Sequence, residues 1–399
     1  MNGRIRYRVL LAAALFAAAA GGLAAQGLTV SGLLDSTVSA RAGAGDAPAF
    51  SYGLEEYAGL RFQAKARDKA VVYGAVNLIA AAGNAAVNTA LAGLYQGGPR
   101  PGLSPSAFSG GENYVAGLEL ERLYFRVNGE YLDFDGGLTR LPFGYGQVWG
   151  PSDFLNPKNP LYPDARPRGV LGGVLAWYPA ESLKVQGFGA APRDPFAAGG
   201  QGALAGLAVD RHGTKASFQA LYAFEAPRDG SPRGIHRVGM SLKADLELGL
   251  TVDALYAYNP QAGMDLDGLS LSAGFDYSFF GGKLIVLAEY LYNGGYSSTS
   301  VRGGGAGGLS HRNYLYGGLT WMVNDYTSAG LALLAGVDDL SCVPILSLSR
   351  DLFQGCTLSL AGQVPLDRDL FTGSGEGGEL GPESAGGYFN FSGRVRLRF

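Results

Sequence analysis

The chain has 399 residues, of which 64 are Gly, and only 16% are charged, against roughly 25% in soluble globular domains. It is 47% hydrophobic, with 22 Tyr and 20 Phe, which is too apolar for a disordered chain; it has no Gly-X-Y period for collagen, and its 2 Cys cannot staple a disulfide mini-protein. The formal net charge of −3 provides no basic surface for nucleic acid.

Met1–Arg8 carries Arg4, Arg6 and Arg8 and no acid, Val9–Ala20 is an unbroken apolar run, and Gly21–Ala25 follows with mostly small residues. This is the pattern of a secretory signal peptide, residues 1–26, with cleavage expected between Ala24 and Gly27. Residues 27–399 then make a single domain. None of its segments approaches the ~18 consecutive apolar residues of a spanning helix.

From there on the period is two. Leu60, Phe62, Ala64 and Ala66 alternate with Arg61, Gln63, Lys65 and Arg67. Ala216 to Phe224, Leu269 to Tyr277 and Phe389 to Phe399 repeat the pattern. Side chains of a strand point to opposite faces in turn, so each segment has one apolar and one polar face. About eighteen such segments are expected, near 28–40, 54–67, 70–78, 113–127, 130–140, 169–178, 183–191, 202–210, 214–224, 235–246, 250–259, 268–279, 283–293, 313–323, 327–337, 343–349, 356–365 and 388–399. Their lengths centre on the ~9–11 residues with which a tilted strand crosses a bilayer. Connections after even-numbered segments are short, such as Asp68–Lys69, Asn128–Gly129 and Asn324–Tyr326. Those after odd-numbered segments are mostly long: 41–53, 79–112, 141–168, 192–201, 225–234, 294–312 and 366–387. Two members break the rhythm, a short loop at 338–342 and a long turn at 350–355.

A soluble sandwich alternates in the same way but has no reason to sort its loops by parity. Short periplasmic turns and long extracellular loops are the rhythm of outer-membrane barrels. The expected fold is therefore all-β, a transmembrane antiparallel up-and-down β-barrel of about 18 strands, with 16 as the fallback. Lipid offers no partner to a peptide N–H, so such a sheet must close.

The final segment, Tyr388-Phe-Asn-Phe-Ser-Gly-Arg-Val-Arg-Leu-Arg-Phe399, alternates apolar residues and ends in Phe. In this it resembles the C-terminal strand of outer-membrane proteins of diderm bacteria. That resemblance implies an outer-membrane location, contact with lipid, and recognition of this strand by the barrel-assembly machinery. Gly137-Leu-Thr-Arg140, Gly144-Tyr-Gly146, Pro151-Ser-Asp153 and Asn156-Pro157 resemble a "G-x-x-R … G-x-G … P-x-D … N-P" stretch of some porin-like barrels.

Barrels of ~16–18 strands enclose an aqueous lumen. The first strand begins within a few residues of the cleavage site, leaving no room for an N-terminal plug, so a constriction must come from an inward loop. Two loops qualify. Leu78–Gly111 includes Asn84–Tyr95, where Val87, Leu91 and Leu94 could share one side of a short helix. Leu141–Arg168 is the more distinctive, and there Asp153, Lys158, Asp164, Arg166 and Arg168 are the candidate charges facing solute. The alternative is that this loop is structural, stiffened by Pro142, Pro151, Pro157 and Pro160, with Asp153 and Asn156 capping turns.

On the inner wall, Arg394, Arg396 and Arg398 share one face of the last strand, and Arg61, Lys65 and Arg67 share one face of the second, with Asp35 between them. This basic stripe is the candidate pore lining, and beside acids it would favour anions. The alternative is that these side chains pair with Asp35, Asp133 or Asp135.

The expected function is an open channel for small hydrophilic solutes, without cofactor or metal; the alternative is an adhesin-like structural barrel with no open channel. An enzyme is not expected. The only histidines are His212 in a short turn and His236 and His311 near the external ends of strands that are not neighbours. The topology also sets Cys342 and Cys356 at opposite rims, too far apart for the ~7 Å limit of a disulfide.

Overall fold

The computed structural model describes residues 27–43, 50–66, 69–84, 106–111, 113–156, 169–191, 203–227, 234–258, 260, 266–294, 309, 311–368, 378–381 and 387–399. The expected leader, Arg67, and the expected short helix from residue 85 onward lie outside them. The strands are β1 (Gly27–Ala42), β2 (Phe50–Ala66), β3 (Ala70–Ala82), β4 (Ser106–Gly111), β5 (Tyr114–Asn128), β6 (Leu132–Thr139), β7 (Val170–Ala180), β8 (Leu183–Ala191), β9 (Leu204–His212) and β10 (Ala216–Glu225). They continue with β11 (Ile235–Asp245), β12 (Gly249–Tyr258), β13 (Leu269–Phe279), β14 (Leu284–Asn293), β15 (Asn313–Asn324), β16 (Thr327–Gly336), β17 (Ser341–Phe353), β18 (Cys356–Gln363) and β19 (Phe389–Arg398).

Each wall strand pairs antiparallel with its sequence neighbour, and β19 closes on β1, from Leu33 against Arg398 to Ala42 against Phe389. Eighteen strands make a closed wall, so the fallback of sixteen falls away. They correspond one for one with the alternating segments of the sequence.

β4 is the exception, and it was not expected. Among the described residues it pairs only with Tyr114–Glu119 of β5, a stretch that β6 does not reach because β6 meets β5 over Leu123–Asn128. β4 thus satisfies backbone groups that would otherwise form a bare edge. One irregularity of the loop rhythm also disappears. β17 runs on to Phe353, leaving a two-residue turn, residues 354–355, where a long one was expected. The four-residue connection at 337–340 remains short. His212, expected in a turn, instead ends β9.

The two faces follow the alternation. Outward positions carry exposed apolar side chains, such as Val30, Val38, Leu60, Leu207, Met240, Leu319 and Leu346. Exposed rings gather near the short turns, with Tyr131, Trp177, Phe279, Trp321, Phe353 and Phe399 at that end and Phe50, Tyr52, Tyr114 and Phe389 at the other. Such girdles mark the two interfaces of a bilayer. Inward positions carry most of the charge. A register shift between Ala75 and Val76 inserts Glu121 into β5, and this bulge lets Glu121 and Arg122, neighbours in sequence, both serve the inner face.

Both cysteines are free, and they lie at opposite ends of the 13-residue strand β17, Cys342 near its start and Cys356 just beyond its end. Folded protein should therefore run with the same mobility on electrophoresis with and without reductant. A faster band without reductant would mean that this register is wrong.

Candidate functional site

The segment 140–156 leaves β6 and enters the barrel instead of arching over its end. Its apolar residues explain why. Leu141, Phe143 and Leu155 pack with Val170, Phe188, Leu204, Ala208, Leu221 and Ala223 from β7 to β10. Phe143 meets Phe188 at 4.7 Å between ring centroids. Farther along, Val148 and Trp149 pack with Leu291, Tyr314, Leu334 and Val343 from β14 to β17. Burying a side chain of this size contributes about 1.5–3 kcal/mol, so two clusters on two stretches of wall hold the loop firmly.

Polar groups complete the seat. Glu289 is 2% exposed, and its carboxylate accepts the backbone N–H groups of Gln147 at 3.0 Å, Val148 at 2.9 Å and Trp149 at 2.9 Å. The Gln147 amide donates to Asp276 at 2.5 Å, and Gly144 N–H donates to Gln219 at 2.7 Å. Ser152 Oγ donates to the Ala254 carbonyl at 3.1 Å. Asp253, fully buried, accepts Ser241 Oγ at 2.6 Å beside Ser152. Gly144 has φ of +80°, and a Cβ there would collide with the Asp253 carboxylate, so both its backbone angle and the close approach require glycine. Behind the loop, Arg237 pairs with Glu225 at 2.7 Å and lies 5.0 Å over the Phe154 ring. Burial, reinforced by Asp210, pushes the Tyr145 phenol up to about 12.

Of the five charges expected to face solute from this loop, only Asp153 is among the described residues. It is 7% exposed, and its Oδ1 accepts the Asn156 amide at 3.2 Å, the turn-capping arrangement given above as the alternative. Lys158, Asp164, Arg166 and Arg168 lie outside the described residues. The residues that seat the loop were not singled out from sequence. Glu289 did carry a signal, as the single acid in the apolar run Leu284-Ile-Val-Leu-Ala-Glu-Tyr-Leu-Tyr.

The facing wall holds the basic stripe. Arg394, Arg396 and Arg398 stand opposite Thr37, Asp35 and Leu33, on the same face of the sheet. Arg394 lies 3.2 Å and Arg396 2.9 Å from Asp35, so the pairing alternative holds for these two. Arg61 and Lys65 occupy the same face on β2, opposite Ser31 and Gly27 of β1. Beside them Tyr57, Asn77, Glu119 and Glu121 form a buried polar cluster, with Arg140 3.5 Å and Arg122 3.6 Å from Glu121.

A second inward contact was not anticipated. Segment 378–381 meets the 337–340 connection and the start of β15. Leu380 joins the Trp149 cluster, Tyr314 donates to Glu379, and His311 Nε2 lies 3.1 Å from Asp339. Ser341 Oγ donates to Asp339 at 2.8 Å, so its proton points to the acid and not to the imidazole. Burial works against the charge of Asp339, but the Glu379 N–H, the Ser341 hydroxyl and N–H, and the nearby His311 together hold its carboxyl below the ordinary range.

No family model and no curated protein matches the sequence. Solved structures do match. OccAB4 of Acinetobacter baumannii aligns at 11% identity with a TM-score of 0.56, over 94% of this chain and 99% of that one. The outer-membrane protein opdK of Pseudomonas aeruginosa aligns at 8% identity with a TM-score of 0.55, over 94% and 99%. Wzi of Escherichia coli, a carbohydrate-binding β-barrel involved in group 1 capsule assembly, aligns at 12% identity with a TM-score of 0.57, over 96% and 87%. At these identities the likeness is one of fold, and the fold is that of porin-like outer-membrane barrels.

Two outcomes follow from this geometry. Replacing Glu289 by Ala removes the acceptor of three N–H groups, and hydrogen bonds to charged groups contribute roughly 1.5–3 kcal/mol each. Amide exchange at Gln147, Val148 and Trp149 in the folded barrel should accelerate at least ~30-fold, the equivalent of about 2 kcal/mol. The Asp339 carboxyl sits lower in the folded state than in the unfolded chain. Its contribution is therefore present above the ordinary carboxylate value of about 4 and is lost as pH falls through the depressed one. Protection of the Glu379 and Leu380 amides should hold at pH 6 and drop at pH 3, and Asp339→Asn should lower it already at pH 6.

Proposed function

We propose that the chain is an outer-membrane channel through which small hydrophilic solutes diffuse passively, and not an enzyme. On this reading residues 1–26 are a cleaved signal peptide, β19 is the strand presented to the barrel-assembly machinery, and the short turns face the periplasm. Loop 140–156 narrows a water-filled lumen from one side. Arg61, Lys65, Arg394, Arg396 and Arg398 line the other side, with Asp35 among them, and bias passage towards anions.

The observation that carries the reading is the seating of loop 140–156. Carboxylates from the wall meet its backbone, and two apolar clusters bury its side chains, so the loop is built to stay inside the barrel. That arrangement uses the acids of one wall for structure and leaves the basic wall facing it. The fold shared with OccAB4 of Acinetobacter baumannii and the outer-membrane protein opdK of Pseudomonas aeruginosa supports an outer-membrane barrel.

Folded protein in a planar bilayer should give discrete single-channel steps; their absence would leave the closed structural barrel in its place. Glu289→Gln, by loosening the loop, should raise the conductance of each step, and an unchanged conductance would sink the constriction. In a salt gradient the reversal potential should indicate anion preference. Replacing Arg394 and Arg396 together by Gln should shift it towards cations, because Asp35 then stands uncompensated.

A further inference from the structure

Three strands near the short-turn end carry a pattern of which the channel reading uses only Arg61 and Lys65. Across β2, β3 and β5 the register aligns Gln63 with Tyr73 and Tyr124, and in the next row Lys65 with Val71 and Arg126. The row on the other side aligns Arg61 with Ala75 and Arg122. A row of two tyrosines and an amide is thus flanked on both sides by a row with a cation at each end and a small or aliphatic residue between. Gln63, Lys65, Val71, Tyr73, Tyr124, Arg126 and Asn128 line a hollow of about 360 Å³.

We propose that this hollow is a binding subsite for a phosphorylated monosaccharide. Its volume lies near the small end of the ~300–1,000 Å³ range of ligand pockets, fit for one ring and its substituents. The Tyr73 and Tyr124 rings, 5.3 Å apart and inclined at 33°, offer an aromatic surface for the C–H face of a sugar. The amides of Gln63 and Asn128 provide both donors and acceptors, which is what ring hydroxyls need.

The charge points to a phosphate. Arg126 commits two N–H groups to Asp135, at 2.7 and 2.6 Å, and stands 5.9 Å over Tyr124. Arg122 lies 3.6 Å from Glu121. Among the described residues no acid pairs with Arg61 or Lys65, so these two carry the uncompensated charge on either side of the tyrosine row. Lys65, which lines the hollow, meets a group bearing about −1.5 to −2 at neutral pH, and Arg61, one row beyond the tyrosines, adds only longer-range attraction. A lysine ammonium is a compact point charge of the kind that binds phosphate.

The inference goes beyond the channel reading and does not depend on conduction, so it is tested by equilibrium binding. The barrel is folded in detergent at low salt, its folding is verified by the heat-dependent shift on electrophoresis, and it is titrated calorimetrically with glucose 6-phosphate, glucose and inorganic phosphate. Glucose 6-phosphate should bind at least tenfold more tightly than either fragment. Lys65→Gln and Tyr124→Ala should each weaken it about tenfold or more, while Tyr124→Phe, which keeps the ring, should bind as the native chain does. Inorganic phosphate binding as tightly as the sugar phosphate would overturn the proposal. So would equal affinity in Lys65→Gln and Tyr124→Ala, equal losses in Tyr124→Phe and Tyr124→Ala, or no binding by the folded native barrel. None of these results bears on whether the barrel conducts.

Discussion

A peptide N–H or C=O turned towards hydrocarbon has no solvent to satisfy it, and every other feature of this molecule is arranged around that constraint. The sheet meets it by closing β19 on β1, with Asp35 and Arg396 paired although 361 residues apart in sequence. Closure fixes which face is wet. Once the outer face is given to Leu, Val, Phe and Tyr, the charges are left on the inside. The interior then contains acids and bases that must be neutralised, solvated or used. Half of β5 lacks β6 as a neighbour, and there β4 takes up the same obligation.

The interior divides its acids from its bases. On the wall from β9 to β14, Asp210, Asp253, Asp276 and Glu289 surround the docked loop, and several accept its N–H groups directly. On the wall from β19 through β1 to β5 the arginines predominate. A carboxylate can hold an unpaired stretch of backbone because it is acceptor-only and strong, whereas an arginine cannot accept an N–H. The side that receives a loop is thus the acidic side for a chemical reason, and the basic side is the one left to face water.

Alternation made the wall legible in sequence. Eighteen segments with a period of two, sorted by loop length, correspond to the eighteen wall strands, because each strand's two environments are written into consecutive residues. β4 carried no such signal. Ser106–Gly111 is six residues long, too short to show the alternation, and it pairs with the flank of β5. The extension of β17 over Arg350–Phe353 was hidden because Arg350 and Asp351 look like turn residues; they continue the ladder beside Thr327 and Thr357. The docking partners of the loop were not legible either. Glu289 meets Val148 at a separation of 141 positions in sequence, and no local pattern specifies a contact of that kind. The basic stripe was readable from Arg394, Arg396 and Arg398 alone. The way Asp35 divides itself between two of them required the register of the seam.

Trp149 and Leu380 come from different connections and sit in one apolar cluster. Neither segment has a complete cavity of its own. Each supplies part of the surface against which the other is buried, so their free energies of docking are not independent quantities. Losing either contact would lower the stability of both, and the two connections would exchange, open and anneal together as one cooperative unit.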